Sequence, residues 1–256
     1  DSPAFLQLAL DRTEAEFGPA RLERSVPMTQ ERAVRELARG AETIDVVGIA
    51  ATREREQMLL PIRIPYLQGL LGLRICLIRP GDEERFNDIK TRKQWQQSDL
   101  TIGVGSDWPD KAILEHNGFR VFDTSNTDHL PELLQAGRFD CLLYSAADIL
   151  IHQQRAGLGN LTIEPDLMLV YPQPDYFFVG PRDQQLRDRL KLGLERAIED
   201  GSYRDVFLQV HGDVIKRLDL RDRRQIRLDN PNLTEETRRV LQERKGFLLP
   251  RVSADD

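Results

Sequence analysis

Strand-like and helix-like segments alternate along nearly the whole chain, and this alternation constrains the fold more than any other feature of the sequence. Such a pattern predicts mainly parallel sheets covered by helices, because parallel strands need a long crossover that a helix supplies. Residues 5–17 read as a first helix, with Phe5, Leu6, Leu8, Ala9 and Leu10 gathered toward its start. Residues 21–25 predict a short strand, and 29–39 a second helix. In that helix Thr29 is the N-cap, Ala33, Val34 and Leu37 share a face, and Gly40 is the stop. Ile44-Asp-Val-Val-Gly-Ile-Ala50 has the continuous apolar character of a buried strand.

The strand Leu73-Arg-Ile-Cys-Leu-Ile78 closes on Arg79-Pro-Gly-Asp82, the strongest internal boundary in the chain. Beyond it, strands at 100–104, 120–122 and 139–144 alternate with helices at 109–116, 130–135 and 146–154. Strands at 167–171 and 176–179 flank Pro172-Gln-Pro174. A long helix over 183–200 follows, and Gly201 breaks it before a new helix starts with Ser202 as its cap. The polar tail from Arg224 carries one more helix over 234–245 and reads as a wrapping arm. The expected division is a discontinuous first lobe, 1–79 with 175–256 including the C-terminal arm, around a second lobe of 80–174.

With 256 residues the chain can build two modest lobes, each with its own core. A formal net charge of -6 argues against nucleic acid as a partner, since phosphate binding needs clustered basic charge. Acidic residues interleave the basic run Arg217-Leu-Asp-Leu-Arg221-Asp-Arg223-Arg224, which therefore reads as a solvated helix face. No apolar run approaches the ~20 residues of a spanning helix. No signal peptide is present in this sequence, as in a mature exported chain. Cys76 and Cys141 lie far apart in apolar runs and read first as two buried thiols; a disulfide, the alternative, needs their Cα atoms to come close in the fold.

Catalytic signatures are absent: no Walker-A run, no H-E-x-x-H, no G-x-S-x-G and no C-x-x-C. His116, His129, His152 and His211 stand at no metal-ligand spacing, so neither a metal nor a cofactor is expected, and the chain does not read as an enzyme. Thr101-Ile-Gly-Val-Gly105-Ser-Asp-Trp-Pro approaches a dinucleotide fingerprint, but Trp108 replaces the glycine needed for close helix packing. The segment reads better as a seat for a polar or anionic group at a helix N-terminus, with Ser106 or Asp107 as cap and Pro109 in the first turn. Plain helix capping is the competing reading, and Trp108 either packs under a loop or faces a ligand. Thr52-Arg-Glu-Arg55 sits just past a buried strand, where open α/β sheets place ligands. Arg55 there can grip a carboxylate, or merely pair with Glu54 or Glu56.

Several segments together carry a resemblance: Ala38-Arg-Gly40 to Ile44-Asp-Val46, Thr52-Arg-Glu-Arg55 to Ile64-Pro-Tyr66, Thr101-Ile-Gly-Val-Gly-Ser106, Leu134-Gln-Ala-Gly-Arg-Phe-Asp140 and Ala197-Ile-Glu-Asp-Gly-Ser-Tyr203. On them, residues 4–212 resemble the extracellular solute-binding proteins that feed polar amino acids to bacterial ABC importers. The resemblance implies an α/β, two-lobed periplasmic-binding-protein-like clamp of type II. Each lobe would be a mainly parallel sheet flanked by helices, joined by two hinge strands near 73–80 and 171–179. It implies that Arg55 holds a ligand carboxylate and that Gly105, Ser106 and Asp107 complete the grip.

The sequence also departs from that family. The family begins with a strand, whereas this chain begins in a helix, and Gly48-Ile-Ala-Ala51 stands where a serine- or threonine-bearing stretch is usual. The acidic residue that would receive an ammonium is displaced to Asp148, beyond Tyr144-Ser145-Ala-Ala147. The expected ligand contacts are thus Gly48, Thr52, Arg55, Gly105, Ser106, Asp107, Trp108, Tyr144, Ser145 and Asp148. The expected function is periplasmic binding of a small polar or anionic solute in a cleft, by a monomer, for ABC-type uptake or sensing with a permease or membrane sensor as partner. With no well-placed acid for an ammonium, ligands lacking a free amine are expected to bind better than standard amino acids, with Trp108 and Tyr144 giving flat contact. A dehydratase-like enzyme on the same clamp and the effector domain of a regulator are the alternatives.

Overall fold

The computed structural model describes residues 2–154 and 161–249. In chain order the first elements are α1 (Ser2–Asp11), α2 (Glu14–Phe17), α3 (Gln30–Arg39), β1 (Val46–Ala50), α4 (Arg53–Met58) and β2 (Leu60–Ile62). Then come β3 (Leu73–Ile78), α5 (Glu84–Asn87), α6 (Arg92–Gln97), β4 (Thr101–Gly105), α7 (Pro109–His116), β5 (Arg120–Thr124), α8 (Leu130–Gln135), β6 (Cys141–Ser145) and α9 (Ile149–Gln154). The last are β7 (Thr162–Ile163), β8 (Leu167–Val170), β9 (Asp175–Val179), α10 (Gln184–Glu199), α11 (Ser202–Arg217), β10 (Arg224–Arg227) and α12 (Glu235–Glu243). No helix among the described residues is long and apolar enough to cross a membrane.

The chain forms two compact units, which among the described residues hold 2–68, 174–213 and 233–245 (unit 1) and 69–154, 161–173, 214–232 and 246–249 (unit 2). The turn at Arg79-Pro-Gly81 therefore falls inside unit 2, because the strand it closes, β3, is central to that unit's sheet. The chain also returns to unit 2 over 214–232, where β10 pairs in parallel with β8. Part of the polar tail is thus an edge strand, not an arm.

Unit 1 is built on a three-stranded sheet in the order β1-β9-β2. Every residue of β9 is buried, as a central strand covered on both faces requires. Both pairings are antiparallel, so this sheet departs from the expected parallel arrangement. The reason is topological: β9 enters from far along the chain and runs against both of its neighbours. Helices α1 and α10 cross closely at Gly193, where a Cβ would lie 2.0 Å from the Ala9 carbonyl oxygen. Val34, Leu37, Ile49, Tyr176 and Phe178 form the core between α3 and the sheet.

Local signals hold at several ends. Thr29 accepts from the Arg32 amide and Gly40 takes the left-handed conformation (φ 70°) that stops α3. The predicted helix over 5–17 breaks into two at Arg12–Thr13, where Thr13 Oγ1 donates back to the Ala9 carbonyl. Ser202, expected as the cap of α11, is its first helical residue, and the Asp200 carboxylate two positions earlier accepts the Ser202 amide at 2.9 Å. Residues 21–25, read as a strand, pair with no strand among the described residues.

Unit 2 carries the larger sheet, β10-β8-β3-β6-β4-β5, with β7 on β3. All registered neighbours are parallel except at β3, which runs against β6, β7 and β8. Cys76 on β3 and Cys141 on β6 form a disulfide across these neighbouring strands, where two thiols were expected. The basic run near 217–224 is likewise not a solvated helix face. Helix α11 ends at Arg217, and Arg223 turns inward to donate to the carbonyls of Leu218, Glu164 and Leu167. Hydrogen bonds to these three carbonyls compensate for burying the guanidinium.

Candidate functional site

Strands β4, β5 and β6 of unit 2 are parallel, and the chain leaves β4 toward β5 but leaves β6 toward β3 and β8. Connections that diverge from two adjacent parallel strands leave a crevice outside their carboxyl ends, the usual ligand position in an open α/β sheet. The residues at this switch point are Gly105 to Trp108 after β4 and Tyr144 to Asp148 at the end of β6.

Trp108 precedes α7 and is half-buried, its ring 5.8 Å from that of Tyr144. Tyr144 in turn stacks flat on His152 of α9, centroid to centroid 3.9 Å. The three rings cluster at the end of the two strands; Tyr144 is buried, while Trp108 and His152 each keep part of their surface in solvent. Gly105 permits this: a Cβ there would lie 2.6 Å from Trp108 Nε1 and 2.8 Å from Thr127.

The helix-capping expectation fails. Trp108 itself occupies the N-cap of α7 and makes no side-chain cap bond; Pro109 is in the first turn as expected. The exposed Ser106 donates to Asp123 at the end of β5, and Lys111 pairs with the same carboxylate at 3.0 Å. The Ser106 bond first, then Lys111, holds the Asp123 carboxyl below the usual carboxylate range. Asp107 is exposed. The negative group in the first turn of α7 is the protein's own Asp110, 2% exposed, so the favourable helix-end position is taken internally.

Asp110 belongs to a buried polar network that the sequence reading missed. Arg74 on β3 places Nη2 2.8 and 2.9 Å from the two Asp110 oxygens. Its Nε donates to Tyr171 Oη at 3.1 Å and its Nη2 to Gln173 at 3.2 Å, and Tyr171 donates to Asp110. Burial works against the Arg74 charge, but Asp110 and Tyr171 more than offset it and keep the guanidinium pKa above its ordinary value. Burial and the neighbouring Asp110 charge push the Tyr171 hydroxyl well above the usual range. The arginine in an otherwise apolar strand was the available signal, since a buried charge must find a partner.

Arg74 lies opposite Ser145 in the β3–β6 register, and the buried Ser145 donates to Asp148 at 2.6 Å. Asp148 is half-buried and also raises the Arg74 pKa through its charge. The turn after β6 thus brings back to the strand end an acidic residue whose sequence position looked displaced.

The three expected contacts in unit 1 have structural work there. Thr52 caps α4 by accepting from the Arg55 amide at 3.2 Å. Arg55 donates to the Ala50 carbonyl (2.8 Å) and to Gln30 Oε1 (3.0 Å), and neither acceptor carries a charge. Gly48 lies under Tyr66, whose hydroxyl would be 2.8 Å from a Cβ. Among the described residues no cluster of three or more His, Cys, Asp or Glu side chains is arranged to hold a metal ion.

No protein-family model matches this sequence, and no curated protein matches it. Solved structures do. An amino-acid ABC transporter substrate-binding protein from Streptococcus pneumoniae bound to L-arginine aligns with TM-score 0.61 and 15% identity, over 83% of this chain and 84% of that one. An ancestral arginine-binding protein bound to arginine gives 0.58 and 19%, over 81% and 87%. A binding component of an ABC transporter from Wolinella succinogenes complexed with lysine gives 0.58 and 16%, over 81% and 84%. The fold is therefore that of the two-lobed periplasmic binding proteins, type II, as the sequence resemblance implied.

Proposed function

We propose that this protein binds a small polar solute for ABC-type uptake or sensing and does no chemistry on it. The observation that carries this reading is the ring cluster at the β4–β6 switch point, with half-buried Trp108 and His152 packed on the buried Tyr144 and the half-buried Asp148 one helical turn before His152. Partly exposed aromatic rings with a carboxylate one helical turn away suit a ligand bearing an ammonium or guanidinium group, through cation–π contact and a charge-assisted hydrogen bond. The formal charges of Arg74, Asp110 and Asp148 add to -1, which favours a cationic group over an anionic one. This reading revises the sequence expectation that a free amine would have no acceptor. The solved relatives named above hold arginine or lysine, which accords with it.

Arg55 is separately proposed as a contact for an anionic ligand group. Ala50 and Gln30 would pre-orient its guanidinium, and Thr52 would support it as the cap of α4. The Cys76–Cys141 disulfide supports an oxidising, extracytoplasmic compartment such as the periplasm, with a permease or membrane sensor as partner.

The test is a calorimetric titration with arginine, lysine, glutamine, glutamate and small dicarboxylates. A dissociation constant in the micromolar range is expected for a basic amino acid. Asp148→Asn should weaken it at least tenfold, and Arg55→Ala should cost about 2–4 kcal/mol of binding. Absence of binding to any of these ligands at millimolar concentration overturns the reading. Tight dicarboxylate binding that survives Asp148→Asn overturns the cationic preference.

A further inference from the structure

Helix α4, which carries Arg55, cannot hold itself in place. It has six residues, and a helix so short is marginal without tertiary contacts. Its one apolar side chain, Met58, is only partly buried. What fastens it is polar, and much of that comes from the C-terminal segment 233–245 of the same unit. Arg53 Nη2 donates to the Leu233 carbonyl at 3.1 Å. The Glu56 carboxylate, 2% exposed, accepts from the hydroxyls of Thr234 at 3.1 Å and Thr237 at 2.9 Å. It also takes two bonds from Arg63, at 2.8 and 3.2 Å, and Arg63 pairs in turn with Glu236 of α12 at 3.0 Å. Leu233 and Thr237 are themselves buried.

We propose that segment 233–245 is a working part of the Arg55 anion contact: by gripping the Arg53–Glu56 face of α4 it sets the direction of the Arg55 guanidinium, with Glu56 as the positioning residue. The inference rests on the reading of Arg55 as a contact for an anionic group. Arg53 and Glu56 stand three apart, so they are neighbours on one face of the helix. Arg55 leaves by another side, toward the Ala50 carbonyl and Gln30. In a helix this short the two sides move together, and holding the first orients the second. A carboxylate buried to this degree is costly unless its oxygens are hydrogen-bonded, which makes Glu56, Arg63, Thr234 and Thr237 one interdependent set. Glu56 and the segment touch no solute in this role; they act through α4.

The test uses Glu56→Gln and Thr237→Val, which keep the size of each side chain, and Thr237→Ser, which keeps the hydroxyl. Arg63 retains Glu236 as a partner in Glu56→Gln, so that variant should fold. Hydrogen–deuterium exchange over residues 52–59 should be at least fivefold faster in the first two variants and near parental in Thr237→Ser, with β9 and the unit 2 sheet unchanged. In calorimetric titrations with L-arginine and L-glutamate, the first two variants should weaken the parent's binding at least fivefold. Added to Arg55→Ala they should weaken it no further, because their effect passes through Arg55. Unchanged exchange over 52–59 overturns the proposal. So does a weakening of equal size with and without Arg55, which would reduce the segment to a general stabiliser. If Arg55→Ala weakens binding and the two variants do not, the proposal falls while the Arg55 reading stands. If neither ligand binds, or Arg55→Ala leaves binding unchanged, the Arg55 reading falls and takes this proposal with it.

Discussion

Arg74 and Asp110, thirty-six positions apart, form an ion pair inside unit 2, with side chains 8% and 3% exposed and nitrogen and oxygen 2.8 Å apart. The pair joins the start of β3 to the first turn of α7, and Tyr171 and Gln173 complete its hydrogen bonding. Removing one member strands the other as a buried charge. Asp110→Ala should therefore lose about 3–5 kcal/mol in urea unfolding, whereas Arg74→Met with Asp110→Leu should lose much less. Equal losses in the single and double variants would show that the pair itself stabilises the unit.

Trp108 should report ligand binding and Trp95 should not. Trp95 is 1% exposed in a core with Phe86 and Phe119, while Trp108 is half-buried against Tyr144. Titration with a bound solute should change the intrinsic fluorescence, and Trp108→Phe should remove most of the change. Trp108→Ala should weaken binding about tenfold while lowering stability by about 1 kcal/mol, since part of the ring is already in water. A fluorescence change that persists in Trp108→Phe would place the ligand elsewhere.

The Cys76–Cys141 bridge closes a loop of 65 residues in sequence separation. A loop of that length constrains the unfolded chain by about 4 kcal/mol in the chain-entropy account. Reductant, or alanine at both positions, should shift the urea midpoint accordingly. No shift would mean that the two residues act only as small apolar packing.

Asp200 caps α11 and pairs with Arg12. Hydrogen bonds from the Ser202 side chain and backbone, with Arg12, depress its carboxyl from 3.8 to about 2. A depressed acid contributes stability that is complete above its ordinary pKa and lost as pH falls through the folded value. Asp200→Asn should therefore be less stable than the parent at pH 7, with the gap closing between pH 4 and pH 2. A gap that is independent of pH would leave only a steric role for the carboxyl.

The alternation of strands and helices, the caps at Thr29 and Gly40 and the covered strands were legible in the sequence, because they depend on neighbours a few residues away. So was the grouping of Gly105 to Trp108 with Tyr144 to Asp148, because parallel strands bring their carboxyl ends to one edge. Side-chain partners were not legible. Ser106 turns to Asp123 instead of capping α7, and Arg223 turns inward instead of facing water. Both choices depend on residues brought near by the sheet.

The sequence by itself determined the covered strands of both sheets and several helix ends, such as those of α3 at Thr29 and Gly40, since hydrophobic period and capping chemistry act locally. Only the tertiary structure decided that β9 runs against both its neighbours, that β10 joins unit 2, that Cys76 meets Cys141 and that Arg74 meets Asp110. Each is a pairing across tens of residues. It forms where the gain from burying two apolar surfaces exceeds the entropy of closing the loop, a balance that no short stretch of chain contains.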